Sequence, residues 1–435
     1  MLDTDELLNG SDPLLADTDG DGLSDLADPA PIDKLGVLQE INGDGAGEKW
    51  AVALAAGDID NDGIDDVLVG TPYDRVYTYV NEKQIALSHA GTVRVYSGAD
   101  GQEIVASRIS GAVANQRLGA AIAVVPDQNS DGKPDIAVGE PLANVATFVN
   151  EKAVALKGAG RVALYSGATG AFIRIVAEGK KAGDRFGSAL AVGNVNGAGS
   201  DDLIVGAPMA DVQTIINSKL VTLANAGQVT AFDGISDVEV YHRDGTQKNA
   251  SFGSALAMDI DDHLLVGEPL FDVLTVVNSK NVLLANAGRV QMFAGDNGVS
   301  AASFILEGTV SNDWLGSSLA AVSEDINADG QADWLVGVPR ANITTQRNKP
   351  LVKNDAGKVM LLSGQSDTSL LTMTGTLAAD RLGVAVVSGD FDGDGTPDLV
   401  LGASQFDVST TVNAKIVKLS NAGRAMVYSG AVWLP

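Results

Sequence analysis

The stretch Asp390-Phe-Asp392-Gly-Asp394-Gly-Thr396-Pro-Asp398-Leu-Val-Leu-Gly402 joins an acidic nine-residue loop to a short apolar strand that ends in glycine. Acidic side chains occupy positions 1, 3, 5 and 9 of the loop, and glycine occupies position 6. Odd spacing on a tightly turned loop brings several oxygens to one point, and the Thr396 carbonyl at position 7 can complete the set. A cage of this kind suits a hard divalent cation with oxygen ligands at roughly 2.3–2.6 Å, Ca²⁺ before Mg²⁺. Without a cation, four carboxylates so close together repel one another. The glycine supplies a backbone conformation that other residues reach only at a cost.

The loop and strand recur along the chain. The strand returns as Val67-Leu-Val-Gly70, Ile136-Ala-Val-Gly139, Leu203-Ile-Val-Gly206, Leu264-Leu-Val-Gly267 and Trp334-Leu-Val-Gly337, with steps of 69, 67, 61, 70 and 65 residues between successive glycines up to Gly402. Ahead of each strand stands an apolar residue followed by a small one: Trp50-Ala51, Leu118-Gly119, Phe186-Gly187, Phe252-Gly253, Leu315-Gly316 and Leu382-Gly383. Behind each comes an alternating run opened by Ala-Gly, as in Ala159-Gly-Arg-Val-Ala-Leu-Tyr-Ser-Gly167, and in five units a fourth strand such as Phe172-Ile-Arg-Ile-Val176. Period-2 alternation bounded by glycine makes these strands, and a period of this size with four short strands per unit is a propeller blade. The fold expected is all-β: a six-bladed β-propeller of four-stranded antiparallel blades over residues 35–435. Only Ala431–Pro435 follow the last Ser-Gly, too few for a fourth strand. Leu35-Gly-Val-Leu-Gln-Glu-Ile41 is therefore expected to close the ring by pairing into the last blade, which leaves no open edge.

The loop donors can be assigned blade by blade. Blade 1 offers Asp58, Asp60, Asp62 and Asp66 with the Ile64 carbonyl; blade 2 offers Asp127, Asn129, Asp131 and Asp135 with that of Lys133. Blade 5 offers Asp325, Asn327, Asp329 and Asp333 with the Gln331 carbonyl, and blade 6 offers Asp390, Asp392, Asp394 and Asp398 with that of Thr396. Blade 3 reads Asn194, Asn196, Ala198 and Asp202, which loses position 5 and two charges and should be weak or empty. In blade 4 Met258-Asp-Ile-Asp-Asp-His263 runs straight into the strand, so the loop is deleted. Four Ca²⁺ sites are expected in the propeller, in a structural role: the cation stiffens the hairpin between strands 1 and 2.

The first 34 residues differ in character. Asp17, Asp19, Asp21 and Asp25, with the Leu23 carbonyl, repeat the same spacing in a segment almost without apolar periodicity. Held by a fifth cation rather than by a core, this segment resembles the thrombospondin type 3 repeats of bacterial surface proteins; a disordered acidic linker is the plainer reading. No basic-plus-apolar leader follows Met1, so any signal peptide is expected to lie outside this sequence. The chain reads as cut from something larger.

A second repeat lies between strands 2 and 3: Thr78-x-Val-Asn81-x-Lys83, Thr147-x-Val-Asn150-x-Lys152, Thr214-x-Ile-Asn217-x-Lys219, Thr275-x-Val-Asn278-x-Lys280, Thr345-x-x-Asn348 and Thr410-x-Val-Asn413-x-Lys415. Alternating residues flank an Asn-x turn, and asparagine tolerates the left-handed conformation of tight hairpins. Each blade is thus expected to carry an inserted β-hairpin, on the face opposite the acidic loops. Two readings stand: a lysine-tipped recognition crown, or strand extensions that only lengthen the blades.

The pattern resembles the FG-GAP repeats of the integrin α-subunit propeller, carried by Phe186-Gly187 with Gly206-Ala207-Pro208 and by the loop between the first two strands. The resemblance implies calcium in those loops and ligand binding on the opposite, calcium-free face. Two departures are plain: the integrin propeller has seven blades, and blade 6 here ends Gly402-Ala403-Ser404.

Composition narrows the function. The chain has 435 residues, no cysteine, 5% aromatics and a formal charge of −27. Cysteine absence excludes disulfide staples and thiolate metal sites, and the acidity argues against nucleic acid as a partner. No apolar run is long enough to span a membrane. The three histidines, His89, His242 and His263, sit in different blades at unrelated positions, and the clustered carboxylates are accounted for by metal spacing, so no catalytic constellation emerges. Trp50, Trp314 and Trp334 read as core, which leaves no aromatic sugar platform repeated in every blade. The expectation is an extracellular adhesion or recognition module, monomeric within a larger protein, that binds a protein or cell-surface ligand. A glycan-binding propeller lectin is the alternative, and the propeller domain of a surface hydrolase or lyase ranks below it.

Overall fold

The computed structural model describes residues 36–430 apart from positions 150, 198, 295–301, 346–349, 365, 367, 413 and 414. The expected segment 1–34, with Asp17, Asp19, Asp21, Leu23 and Asp25, lies outside the described residues. The fold is an all-β, six-bladed propeller.

Blade 2 is representative. Ala121–Val125, Asp135–Glu140, Arg161–Ser166 and Phe172–Glu178 form one antiparallel sheet in that order. Its second strand is buried along its whole length, which explains why it reads as an unbroken apolar run rather than an alternation. The same four-stranded order recurs in every blade, and blade 1 has a short outer strand, Ile109–Ser110. In the last blade Val37–Asn42 supplies the fourth strand, paired antiparallel to Arg424–Tyr428 with Ile41 opposite Ala425. The ring therefore closes as the sequence predicts.

The innermost strands surround the axis. Ile122, Leu190, Leu256, Leu319 and Val386 occupy equivalent positions there, and all are buried. Between the blades, aromatic edges fill the core: Trp50 meets Tyr96 at 5.5 Å, Phe186 meets Phe232 at 5.9 Å and Phe304 meets Trp334 at 5.7 Å, all edge-on. Trp50 and Trp334 are core as expected. Trp314 is not: it is only half-buried, with the Arg340 guanidinium 4.6 Å from its ring centroid.

The recurring glycines mark where blades touch. A Cβ built on Gly139 would overlap the carbonyl oxygen of Gly187, and Gly70, Gly206, Gly267 and Gly337 stand in the same relation to Gly119, Gly253, Gly316 and Gly383. Each strand-2 glycine thus lies against the Phe-Gly glycine of the next blade. The seam relaxes only at ring closure, where Gly402 faces the Ala51 oxygen at 2.7 Å from an ideal Cβ.

Substituting Gly206→Ala should therefore cost about 1–3 kcal/mol by overpacking, and Gly402→Ala less. Chemical denaturation of the two variants measures the difference; equal costs would mean the seam does not set blade spacing.

Candidate metal centre

Each loop is first a piece of backbone architecture. Position 6 adopts a left-handed conformation at Gly63, Gly132, Gly330 and Gly395, with φ of 93, 87, 92 and 84°. Position 4 does so as well, at Asn61, Ser130, Ala328 and Gly393, with φ of 61, 63, 56 and 75°. The position-1 carboxylate accepts the N–H of the position-6 glycine in all four loops: Asp58 from Gly63 at 2.9 Å, Asp127 from Gly132 at 2.8 Å, Asp325 from Gly330 at 2.6 Å and Asp390 from Gly395 at 3.0 Å. The position-5 carboxylate accepts from position 7: Asp62 from Ile64, Asp131 from Lys133, Asp329 from Gln331 and Asp394 from Thr396, at 2.7–3.1 Å. The N–H groups of the four position-7 residues thus anchor the turn, and their carbonyls remain the expected fifth donors.

Three loops bring carboxylates together. One oxygen each from Asp58, Asp60 and Asp62 lies within 4.8 Å of the others, and so do those of Asp127, Asp131 and Asp135, and of Asp390, Asp392 and Asp398. Asp66 and Asp394 stand outside these groupings, and blade 5 does not bring Asp325, Asp329 and Asp333 equally close. In that loop the Asp329 N–H bonds both the Asp325 carboxylate at 3.1 Å and Asn327 Oδ1 at 2.9 Å. Asn129 in blade 2 donates its amide to Asp131 at 2.9 Å and Asp135 at 3.1 Å, holding these two carboxylates near one point. The side-chain donors are all carboxylate or amide oxygens, a set that fits a hard divalent cation.

The ninth position does more than the spacing suggests. Asp66, Asp135, Asp202, Asp333 and Asp398 are all buried. Each Oδ2 accepts the N–H of position 2, from Ile59, Gln128, Val195, Ile326 and Phe391, at 2.7–3.0 Å. Oδ1 of four of them accepts the N–H of the glycine after strand 3: Gly98 at 3.3 Å, Gly167 at 3.3 Å, Gly364 at 3.0 Å and Gly430 at 2.7 Å. The carboxylate is therefore a clamp between the start of the loop and the end of the third strand. Burial pushes Asp66 up to about 7 and Asp398 up to about 6, and raises Asp135, Asp202 and Asp333, against the lowering effect of these hydrogen bonds. At the exposed rim the balance reverses. The Gly132 N–H holds Asp127 down, and hydrogen bonds from Asn129, Ser363 and Thr396 do the same for Asp131, Asp329 and Asp394.

The recurring Ser-Gly after strand 3 supplies the glycine of this clamp in blades 1, 2, 5 and 6. Its serine also reaches the loop: Ser166 Oγ donates to Asp131 at 2.9 Å and Ser363 Oγ to Asp329 at 2.6 Å. In blade 4 the ninth position is His263, and its Nδ1 pairs with Asp259 Oδ2 at 2.8 Å, while Asp259 Oδ1 accepts the N–H of His263 at 2.7 Å. A side-chain clasp closes the shortened turn there. The other histidines are equally local: His242 faces Glu239 at 3.1 Å, and His89 meets the edge of Tyr73.

Strands 1 and 2 meet at the acidic loops, and strands 2 and 3 are joined at the opposite end by hairpins. Among the described residues six two-stranded hairpins are present. Their tips bear out the Asn-x reading: Asn217-Ser218 and Asn278-Ser279 both have positive φ, at 50 and 61° and at 49 and 61°, as a type I′ turn requires. Beneath two of them lie ion pairs on buried glutamates that the sequence did not disclose, Glu140 with half-buried Arg161 at 2.9 Å and Glu268 with buried Arg289 at 2.7 Å.

Six blades of one topology, acidic loops at one end and hairpins at the other define a repeat-built β-propeller. The family profile of the FG-GAP repeat matches residues 50–96, 118–165, 186–232 and 382–434, which are blades 1, 2, 3 and 6. The chain is thus a β-propeller that carries FG-GAP repeats in four of its six blades and is similar to the integrin α subunits. Mouse integrin alpha-7 is 33% identical over 175 residues, 39% of this chain and 13% of that protein. Integrin alpha pat-2 of Caenorhabditis briggsae is 29% identical over 239 residues, 51% of this chain and 18% of that protein. Human phosphatidylinositol-glycan-specific phospholipase D is 26% identical over 408 residues, 88% of this chain and 45% of that protein. The chain spans less than half the length of these relatives. No helix among the described residues is long and apolar enough to cross a membrane.

Replacing Asp202 by Ala strips partners from buried N–H groups in a blade whose loop lacks a full donor set. Stability should fall by about 1–3 kcal/mol, equally with and without chelator. A loss seen only when Ca²⁺ is present would show that the ninth carboxylate acts through a cation instead.

Proposed function

We propose that the protein is a calcium-stabilised extracellular adhesion or recognition module whose ligand-binding surface is the hairpin face. Ca²⁺ occupies the loops of blades 1, 2, 5 and 6, four ions in the propeller, and a fifth sits among Asp17, Asp19, Asp21, Leu23 and Asp25 in a thrombospondin type 3-like segment, residues 1–34, that tethers the propeller. The loop cations are structural: they neutralise carboxylates that otherwise repel one another and fix the turn between strands 1 and 2. The partner is a protein or other ligand on a cell or matrix surface, and the chain itself carries no catalytic centre.

One observation carries this reading. The hairpins place exposed apolar residues such as Tyr79, Phe148 and Ile215 on the face away from the acidic loops, where a soluble body has no need of them. The alternative of a glycan-binding lectin lacks an aromatic platform repeated in every blade. The likeness to a phospholipase D over 88% of the chain favours a second reading, the propeller domain of a surface hydrolase.

Thermal unfolding with excess Ca²⁺ and with EDTA, alongside a metal count per chain, tests the cation role. Saturating Ca²⁺ should add several kcal/mol in total, since each site at about a hundredfold excess over its Kd contributes about 2.7 kcal/mol. Four or five bound ions are expected. An unchanged Tm with no bound metal would reduce the loops to acidic turns; turnover of a lipid or polysaccharide would replace the non-enzymatic reading by the hydrolase one.

A further inference from the structure

The six hairpins differ from the rest of the chain in charge. Residues 76–87, 145–156, 212–223, 273–284, 343–353 and 408–419 hold nine lysines and arginines against two glutamates, in a protein whose formal charge is −27. Lys83, Lys152, Lys219, Lys280 and Lys415 take the same place in five hairpins, opening the second arm, and all are exposed.

The arms also leave the body as they run. Val145, Val212, Val273 and Val408, at the bases, are buried, with 4–7% exposure. Toward the tips, at least one large apolar side chain in each blade stands in solvent, among them Tyr79, Phe148, Ile215, Val276, Leu351 and Ile416, each 62–83% exposed. Near the tips both faces of an arm are apolar, as at Ile215 and Ile216 or Val276 and Val277. Four of the turns read Asn-Glu or Asn-Ser, blade 6 reads Asn413-Ala414, and blade 5 has the longer polar stretch Gln346-Arg-Asn-Lys-Pro350.

We propose that this crown binds the surface of an anionic lipid bilayer. The inference rests on the hairpin face being the contact surface and adds what it contacts. Three features select a bilayer. Five hairpins of one pattern and a shorter sixth in blade 5 stand around one ring, so a flat, continuous surface engages all of them, whereas a partner segment would use one or two. Apolar and aromatic side chains beside lysines, behind a polar turn, suit the headgroup level rather than the hydrocarbon interior, with each lysine stem lying along apolar surface and its ammonium reaching the phosphates. The excess of basic residues over acidic ones complements anionic headgroups and opposes the acidic end of the same molecule. Lysine on a free strand edge also discourages edge-to-edge pairing, but that device alone leaves no reason for apolar residues at the neighbouring exposed positions.

The test is flotation of the full chain, at fixed Ca²⁺, with vesicles of phosphatidylcholine alone and of phosphatidylcholine mixed equally with phosphatidylglycerol. Binding should require the anionic lipid and weaken with salt. A Lys219→Glu, Lys280→Glu variant should bind at least about tenfold less tightly, because each lysine near such a surface contributes about 1 kcal/mol. Ile215→Asp should weaken binding too, and exposure of all three positions leaves the fold intact, checked by an unchanged Tm. Absence of vesicle binding, or binding indifferent to headgroup charge or to these substitutions, overturns the proposal. Retention of the chain on intact cells, measured with the same variants, separates the two readings. If the variants abolish retention while vesicles are ignored, the lipid proposal falls and the hairpin face survives with a protein or glycan partner. If retention is unaffected as well, both fall.

Discussion

The propeller depends on how closely neighbouring blades approach at two glycines. The glycine ending strand 2 lies against a backbone carbonyl of the following blade: an ideal Cβ would sit 2.0–2.1 Å from the Phe-Gly glycine oxygen at five seams and 2.7 Å from the Ala51 oxygen at the sixth. The Phe-Gly glycines can present that carbonyl because their φ lies near +80°, at Gly119, Gly253 and Gly316 among others, a region that costs glycine little. Once backbones meet there, the aromatic side chains on either side fill the space between sheets, and six copies close a ring. At the closing seam Ala51 stands in the left-handed region, with φ of 56°, and the contact loosens accordingly. The joint most relaxed in packing is the one completed instead by strand pairing between Val37–Asn42 and Arg424–Tyr428.

The acidic loops are built on this frame through a buried carboxylate. The ninth residue ties the loop's first turn to the glycine after strand 3, so the rim geometry is fixed from inside before any cation enters. Blade 3 makes the point: its loop has lost two charged positions, yet Asp202 stays buried and still accepts the Val195 N–H at 3.0 Å. The ninth carboxylate thus serves the architecture even where the loop lacks the other charges. Burial raises these carboxylates, while at the rim hydrogen bonds lower Asp127, Asp131, Asp329 and Asp394 and burial raises Asp392.

Much of this was legible in the sequence. Blade number, strand order, the closing strand, the missing loop of blade 4 and the inserted hairpins all follow from short-range patterns repeated at a fixed period. What stayed hidden were contacts between repeats. Nothing local in Ser-Gly says that its N–H will meet Asp66 or Asp398, and nothing in Glu140 or Glu268 announces an arginine across the sheet. Trp314 misled because its place beside the Phe-Gly position suggests core, whereas its left-handed backbone, φ 62°, accompanies a half-buried ring under Arg340. The hairpins were legible as strands; their rising exposure from buried base to apolar tip was not, because alternation marks a strand without saying which of its faces are covered.

The distribution of loops around the ring has a logic of its own. Blades 5, 6, 1 and 2 carry the fuller donor sets and are consecutive once the ring is closed. Contacts also run between the loops of three of them. The Asp65 N–H bonds the Asp390 carbonyl at 2.9 Å, Lys133 Nζ reaches the Asp60 carbonyl at 3.0 Å, and Asn61 donates to the Gly132 carbonyl at 2.8 Å. Rim loops of blades 6, 1 and 2 therefore form one connected arc, in which ordering one loop fixes backbone that the next one leans on. Blades 3 and 4 interrupt the arc with devices that need no cation, a buried clamp at Asp202 and the Asp259–His263 clasp at 2.8 Å. The hairpin between strands 1 and 2 is closed by the buried ninth carboxylate in five blades and by the Asp259–His263 clasp in blade 4, so sequence drift in a loop is tolerated wherever such a cross-link holds the two strands together.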